Sequence, residues 1–301
     1  MHRERYLAYG LVIDSEVDLP ELRKLAMGDR SAADVVIRVA PTSRDAVIDG
    51  ADYGPFYRMS PGHIWFDVPD VAEFIVRDGN EIIVNPRVGV DDGGIRLFLL
   101  GSAFGAILSQ REFLTLHGNA IRIGDHCMVC VGDSGAGKST LAAGFMRRGF
   151  DILADDVVPI DSACRAIPGF PRIKLWGDAA EKLGIATHGL SRIRPEMEKY
   201  NVPLSSQSGE PALVRWIYVL TKGSGPGMEL EPVRGAAKYK VLHDYTYRME
   251  FILGMNRQVN HLRSCGELSH RIRVARLIRP ERGFDLDGLI DCLILDMRQN
   301  A

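Results

Sequence analysis

The stretch that decides the fold is Gly132-Asp133-Ser134-Gly135-Ala136-Gly137-Lys138-Ser139. It fits the pattern G-x-x-x-x-G-K-[ST], in which the backbone N–H groups of a glycine-rich loop converge on phosphate oxygens. The apolar run Cys127–Val131 precedes this loop, and a helical pattern from Thr140 follows it and ends at Arg148 before Gly149. Strand, loop and helix in this order predict a P-loop of the Walker A type.

The P-loop assigns a task to each of its side chains. Lys138 supplies a mobile positive charge for the β- and γ-phosphates, and the Ser139 hydroxyl is a ligand for Mg²⁺. ATP and Mg²⁺ are therefore the expected ligands. Nucleotide contacts are expected from Gly132, Asp133, Ser134, Gly135, Ala136, Gly137, Lys138, Ser139 and Thr140.

Two adjacent carboxylates follow the next apolar run. Phe150–Ala154 predicts a strand that ends in Asp155 and Asp156, next to the P-loop strand. One carboxylate, Asp155, would hold Mg²⁺, and the other would accept a proton from an attacking hydroxyl. Neighbouring carboxylates repel each other, so their pKa values should move apart. The alternative is that the pair caps a turn, since Asp is common at strand exits.

The P-loop, the Asp155-Asp156 pair and the string Leu116-His117-Gly118 occur in an order that resembles the C-terminal domain of the HPr serine kinase/phosphorylase family. The resemblance implies a compact kinase domain related to phosphoenolpyruvate carboxykinases, and a homo-oligomer. It also implies phosphoryl transfer from a nucleotide to a serine hydroxyl. In that scheme Asp156 is the proton acceptor, His117 lies beside the γ-phosphate and Lys138 contacts the phosphates.

The segment 168–176 departs from that family, because it lacks the glutamate that serves there as a second metal ligand. Arg172 and Lys174 alternate with apolar residues, so a strand would put both cations on one face. They would contact phosphates or an acidic acceptor, or else form a solvated face. Arg248 would either reach the transferring phosphoryl group or pair with Asp244 on a helix around 240–254.

The chain is expected to be α/β, or α+β overall, in two parts. Residues 1–92 read as a β-rich N-terminal domain with short strands such as Val35–Val39 and a hairpin turn at Asp78-Gly79-Asn80, and this domain would recruit the acceptor. Residues 93–301 read as a P-loop, HPr kinase-like catalytic domain. It would begin with a helix from about Ile95 to Gln110 and end in helices around 240–254, 256–265 and 284–297.

Composition excludes several classes of protein. The 301 residues carry 37 Lys+Arg against 39 Asp+Glu, a net charge of −2, which excludes a strongly basic nucleic-acid scaffold and an acidic disordered tail. Five cysteines are too few for a disulfide scaffold, and Cys127 and Cys130 are expected to be buried thiols. The most apolar stretch, Leu97–Leu108, is shorter than a membrane span, and no signal peptide is evident. A cytoplasmic protein is therefore expected, with no nucleic-acid or membrane partner. A further basic cluster is expected on a solvated or oligomer-facing surface: Arg271, Arg273, Arg276 and Arg279.

Together these patterns predict a Mg²⁺-dependent kinase that acts on a serine hydroxyl of a peptide or protein. The first 90 residues resemble those of stand-alone kinase-like proteins, some of which phosphorylate a natural-product precursor such as a lasso peptide. Two other functions stay open: a small-molecule kinase that acts on free serine or a related metabolite, and a nucleotide-sensing module without transfer activity. Pyrophosphate is an alternative donor.

Overall fold

The computed structural model describes residues 3–26, 28, 31–194, 196–204, 209–281 and 285–300. The chain divides into two compact units. One comprises Met1–Thr115 with Tyr247–Ser264, and the other Leu116–Thr246 with Cys265–Ala301. This division differs from the expected boundary at residue 92, because the helical segment after that point packs within the first unit. There the Gln110 side chain accepts a hydrogen bond from Gly79 N at 2.8 Å and donates one to Gly62 O at 3.0 Å.

The fold is a mixture of strands and helices. The strands are β1 Glu4–Ala8, β2 Leu11–Ser15, β3 Arg23–Lys24, β4 Val35–Val39, β5 Ala51–Asp52, β6 Tyr57–Ser60, β7 His63–Val68, β8 Ala72–Arg77, β9 Glu81–Pro86, β10 Leu114–Ile123, β11 His126–Val131, β12 Ile152–Ile160, β13 Arg165–Ala166, β14 Arg172–Trp176, β15 Lys199–Pro203, β16 Ala212–Gly223, β17 Glu229–Val233 and β18 Arg273–Pro280. The helices are α1 Asp92–Phe98, α2 Phe104–Gln110, α3 Lys138–Arg147, α4 Gly177–Lys182, α5 Ala236–Asp244, α6 Met249–Gly254, α7 Gln258–Arg271 and α8 Leu286–Gln299.

Within the described residues, the first unit is built on a nine-stranded sheet in the order β3-β1-β2-β4-β9-β8-β7-β6-β5. The hairpin expected at Asp78-Gly79-Asn80 is confirmed, because β8 and β9 pair in antiparallel fashion with Arg77 opposite Glu81. A π-helical turn, Leu99–Ala103, joins α1 to α2. In the described part of the chain, Asp92–Gln110 is the one helix long and apolar enough to cross a membrane, and 61% of its most apolar window is buried in the structure. A core helix has the same properties.

The second unit contains a mixed seven-strand sheet in the order β11-β10-β12-β13-β16-β18-β17 among the described residues, and β11 also pairs with β16 in parallel. The expected hairpin of β10 and β11 is confirmed. Leu141 and Phe145 of α3 and Leu289 and Leu293 of α8 are fully buried in one apolar core with residues of the sheet. Cys127 and Cys130 are buried as expected, and burial raises the pKa of both thiols to about 12. The loop after β11 therefore starts from a buried strand.

One expectation about this unit is wrong, and a second fails for one of its residues. The strand β12 does not end at the carboxylate pair but continues through Val157 to Ile160. The basic cluster near the C-terminus includes a strand, β18, which lies between β16 and β17 and buries Arg279 to 8% exposure. Parallel pairing with β16 places Arg279 opposite Lys222, near the carboxyl end of that strand. Arg279 is therefore not on a solvated face, whereas Arg271 and Arg276 of the same cluster are exposed as expected.

Candidate active site

The loop from Gly132 to Gly137 joins β11 directly to α3. Gly132 has a φ of 151°, and a Cβ there would overlap the carbonyl oxygen of Leu220 in the adjacent strand β16. Only glycine fits this position, because the backbone of the loop passes against the backbone of the sheet. The helix that follows has ten residues and directs its N-terminus, with Lys138 and Ser139, into a cavity.

The carboxylates of Asp155 and Asp156 both line this cavity, although they are consecutive residues within β12. Consecutive side chains of a regular strand point to opposite faces. The alternation is broken here because Asp156 has a φ of 73°, in the left-handed region that non-glycine residues seldom adopt. Such backbone strain costs about 1 kcal/mol or more and is concentrated at functional sites.

Neighbouring strands hold the two carboxylates. Asp155 accepts hydrogen bonds from the Asn119 side-chain amide on β10 and from the backbone N–H of Lys174 on β14, the latter at 2.7 Å. Asp156 forms an ion pair with the Lys174 ammonium, with 2.6 Å between Nζ and Oδ2. Lys174 therefore binds both carboxylates, one through its backbone and one through its side chain.

The pKa values of the pair move apart in the direction expected. Burial and the negative charge of Asp156 raise the pKa of Asp155 to about 6. The pKa of Asp156 lies well below its ordinary value because the Lys174 ammonium and His117 outweigh the cost of its burial. Asp156 is therefore ionised at neutral pH, whereas Asp155 titrates close to it.

His117 lies within β10, next to Gly118, which pairs with Val131, the last residue of β11 before the loop. Its Nδ1 is 3.0 Å from the backbone carbonyl oxygen of Asp156, and that contact requires Nδ1 to carry the proton. Burial, followed by the positive charge of Lys138, lowers the pKa of His117, so the ring is neutral at pH 7. A neutral ring with its proton on Nδ1 cannot donate from Nε2. A hydrogen bond from Nε2 to a γ-phosphate would therefore require protonation of His117.

Two further cations bind the carbonyl groups of the loop. Lys138 donates from Nζ to Gly132 O at 2.6 Å and to Asp133 O at 3.2 Å. Arg279 Nε, on β18, donates to Ala136 O at 3.0 Å. These bonds fix the loop between β18 and the start of α3.

The cavity has a volume of about 580 Å³, in the range of small-molecule sites. Ten of the residues selected from the sequence line it: His117, Ser134, Gly135, Gly137, Lys138, Ser139, Thr140, Asp155, Asp156 and Lys174. Gly132, Asp133 and Ala136 belong to the same loop but not to the lining. One cavity thus brings together the glycine-rich loop and the carboxylate pair.

Arg172 and Arg248 are not among the described lining residues. Arg172 is 8% exposed, binds the Asn201 side chain and stacks on Phe170, so only Lys174 of the alternating cations reaches the cavity. Arg248 belongs to the first unit, where Nη2 donates to Ser102 Oγ at 2.9 Å. The expected pairing of Arg248 with Asp244 is wrong, because α5 ends at Asp244, which pairs with Lys240 instead.

Sequence reasoning missed several lining residues: Asn119, Trp176, Lys182, Lys199 and Arg279. Asn119 follows the Leu116-His117-Gly118 string at once, and its position two residues after His117 on a strand was a usable signal. Lys199 and Arg279 come from distant segments, and no local pattern connects them to the P-loop.

The oxygen atoms of the cavity decide whether Mg²⁺ would fit there. No cluster of three or more His, Cys, Asp or Glu side chains is arranged to hold a metal ion in the described ranges. Asn119 is 1% exposed, and its Oδ1 has no hydrogen-bond partner among the described residues, although its amide nitrogen binds Asp155. An unpaired buried oxygen beside a carboxylate fits a hard cation, and Mg²⁺ commonly takes only one or two carboxylates and completes its shell with phosphates and water.

No family model matches the sequence, and no curated protein matches it. Among solved structures 59 chains match, one of them the HPr(Ser) kinase/phosphatase from Coxiella burnetii. That chain is 16% identical, with a TM-score of 0.26, and the match covers 62% of this chain and 90% of that one. This likeness carries no argument about activity.

Proposed function

We propose that the protein is a Mg²⁺-dependent phosphotransferase that moves the γ-phosphoryl group of ATP to a serine-type hydroxyl of a peptide or protein. The observation that carries the proposal is one cavity in which the glycine loop and Lys138 face an ionised carboxylate, Asp156. Phosphate binding and proton acceptance are the two requirements of a kinase.

The loop side of the cavity suits the phosphate chain. The N-terminus of α3 presents backbone N–H groups and the positive end of the helix dipole to an anion. Lys138 is already directed to this loop, where its ammonium would exchange carbonyl partners for phosphate oxygens. ATP is the expected donor, and pyrophosphate would use the same loop.

Mg²⁺, when bound, would neutralise charge on the phosphates. Asp155, Ser139 and the unpaired Asn119 Oδ1 are the atoms that would hold it. The two hydrogen bonds to Asp155 fix its carboxylate, so this residue would hold a cation without first having to be ordered.

The transfer itself conserves atoms and charge. The acceptor oxygen forms a bond to the γ-phosphorus, the bond to the β–γ bridging oxygen breaks, and its electron pair leaves with the nucleoside diphosphate. The hydroxyl proton passes to Asp156, which Lys174 keeps ionised and in place. His117 orients the backbone of Asp156 through its Nδ1 contact.

The test is transfer of label from γ-labelled ATP to a panel of serine peptides. Asp156→Asn should lower transfer by about 100-fold or more while ATP binding persists. Lys138→Met should abolish ATP binding itself. The matched control is Asp125→Asn, an exposed carboxylate in the β10–β11 turn. Normal transfer by Asp156→Asn would remove Asp156 from the mechanism.

One observation favours a second function, a nucleotide-sensing module without transfer activity. Asp156, the proposed proton acceptor, is already engaged in a 2.6 Å ion pair with Lys174. A sensing module would bind Mg²⁺ and ATP tightly and transfer no label to any acceptor, whether peptide or free serine. Oligomeric state and cytoplasmic location stay predictions from the sequence.

A further inference from the structure

An aromatic ring and a lysine form one wall of the cavity. Trp176, the last residue of β14, is 46% exposed and faces Lys199 of β15 across the two-stranded pair. The Lys199 ammonium lies 5.5 Å from the centroid of the indole ring, and both residues line the cavity. An exposed indole beside a cation offers a ligand an apolar contact and a charged contact at the same place.

Lys199 differs from the other lysines of this wall. Lys174 pairs with Asp156 at 2.6 Å and Lys182 with Asp178 at 3.7 Å. No carboxylate oxygen within the described ranges lies at ion-pair distance from Lys199, which is half-buried. Its charge nevertheless lowers the pKa of Asp155 and of Asp156. Lys199 is therefore a cation that acts on both carboxylates, and its own charge is available to a ligand.

The order of the strands shows which ligand this wall would meet. The loop follows β11, with β16 and then β18, the strand of Arg279, on one side. The carboxylates of β12 lie on the other side, beyond β10, and β14 adjoins β12 through the bond from Lys174 N to Asp155. In-line transfer puts the attacking oxygen opposite the leaving diphosphate. If the loop holds the diphosphate, the acceptor enters on the side of Asp156, and the charge of Lys199 acts on that carboxylate.

We infer that Trp176 and Lys199 form the acceptor subsite and select a hydroxyl compound with a negative charge close to its hydroxyl group. The inference rests on the proposed function, because it takes the loop as the donor site. Lys199 would bind the carboxylate or phosphate of the acceptor, and the indole would cover its apolar part.

Two kinds of acceptor share this chemistry, and the probes separate them. One is an acidic peptide with a central serine flanked by aspartates, compared with the same peptide flanked by lysines. The other is a small hydroxy acid such as glycerate. Of the three tryptophans, Trp65 and Trp216 are 6% and 3% exposed, so solvent-sensitive fluorescence and its quenching by acrylamide report mainly on Trp176.

Binding is measured by fluorescence without nucleotide, in the wild type, in Lys199→Gln and in the control Lys240→Gln, an exposed lysine of α5. The acidic peptide or the hydroxy acid should protect Trp176 from quenching. Its Kd should rise about tenfold in Lys199→Gln and stay unchanged in Lys240→Gln. Neither Lys199→Gln nor Lys240→Gln should raise the Kd for Mg²⁺ and ATP.

Three results would overturn the inference: neither acidic probe binds at millimolar concentration, the lysine-flanked peptide binds equally well, or Lys199→Gln weakens ATP binding instead. The last result would assign the wall to the nucleotide. Binding of an acidic ligand without any transfer of label would support the subsite for acidic ligands but refute the proposed kinase activity. The failure of the one claim is therefore distinguishable from the failure of the other.

Discussion

The charge of Asp155 should destabilise the folded protein at neutral pH, and Asp155→Asn removes it. The pKa of Asp155 rises from 3.8 to about 6, first because of burial and then because of the Asp156 charge. A rise of about two units corresponds to about 3 kcal/mol of lost stability once both folded and unfolded states are ionised. Asparagine has nearly the same shape, but its amide nitrogen would face one of the two donors that Asp155 now accepts from, at a cost of about 1 kcal/mol. We expect a net gain of about 1–2 kcal/mol.

The dependence on pH separates this effect from an ordinary change in packing. The folded state binds the proton more tightly than the unfolded state, so it holds more protons between about pH 4 and pH 6. The stabilising contribution of protonated Asp155 is present below this window and is lost as the pH rises through it. The advantage of Asp155→Asn over the wild type should therefore be about 1 kcal/mol larger at pH 8 than at pH 5.

The assay is thermal melting followed by circular dichroism, in chelator and without nucleotide. Asp125→Asn, in the exposed β10–β11 turn, is the control and should leave the melting temperature unchanged at both pH values. Added Mg²⁺ and ATP should give the wild type the higher melting temperature, because only the wild type keeps the carboxylate that would hold the metal. A lower melting temperature for Asp155→Asn at pH 8, or the same difference at pH 5 and pH 8, would refute the reasoning.

Two further predictions concern the metal and the loop. Asn119→Leu removes the unpaired oxygen beside Asp155 together with the amide that donates to that carboxylate. The affinity for Mg²⁺ or Mn²⁺ in the presence of ATP should therefore fall about tenfold, measured by calorimetry or Mn²⁺ resonance titrations. An unchanged affinity would remove Asn119 from the metal site. Gly132→Ala places a Cβ against the carbonyl oxygen of Leu220, so the free energy of unfolding should fall by about 2–4 kcal/mol and ATP binding should be lost. Gly124→Ala, which also has a positive φ but no atom within 4 Å of its Cβ position, should cost only about 1 kcal/mol in the same denaturation series.

The sequence predicts those parts of the site whose functional residues lie next to each other in the chain. The loop from Gly132 to Ser139 is one string, and its glycines, lysine and serine each have a local physical reason. The Asp155-Asp156 pair comes one helix later, so its place beside the loop follows from the strand–helix–strand order alone. Both were therefore within reach of sequence reasoning, as were the β8–β9 and β10–β11 hairpins.

The contacts that hold the site could not be predicted, because they depend on strand pairing between distant segments. Arg279 reaches Ala136 only because β18 pairs in parallel with β16. Its sequence, with arginines three apart, does not show the alternation of a strand, so tertiary pairing overrode the local pattern. Lys199 meets Trp176 only through the register of β14 and β15.

Three departures from ordinary protein structure meet in this one cavity, and they support a functional origin together better than each does alone. Asp156 holds a left-handed backbone inside a strand, Asp155 keeps a carboxylate where burial raises its pKa, and Asn119 has a buried oxygen without a partner among the described residues. Each lowers stability, and a strand exit that only capped a turn would need none of them. A bound cation and phosphate chain would satisfy Asp155 and Asn119 at once, and the inverted backbone at Asp156 is what brings the second carboxylate to the same place. Since selection for stability alone would remove such features, their convergence favours ligand binding over a structural turn.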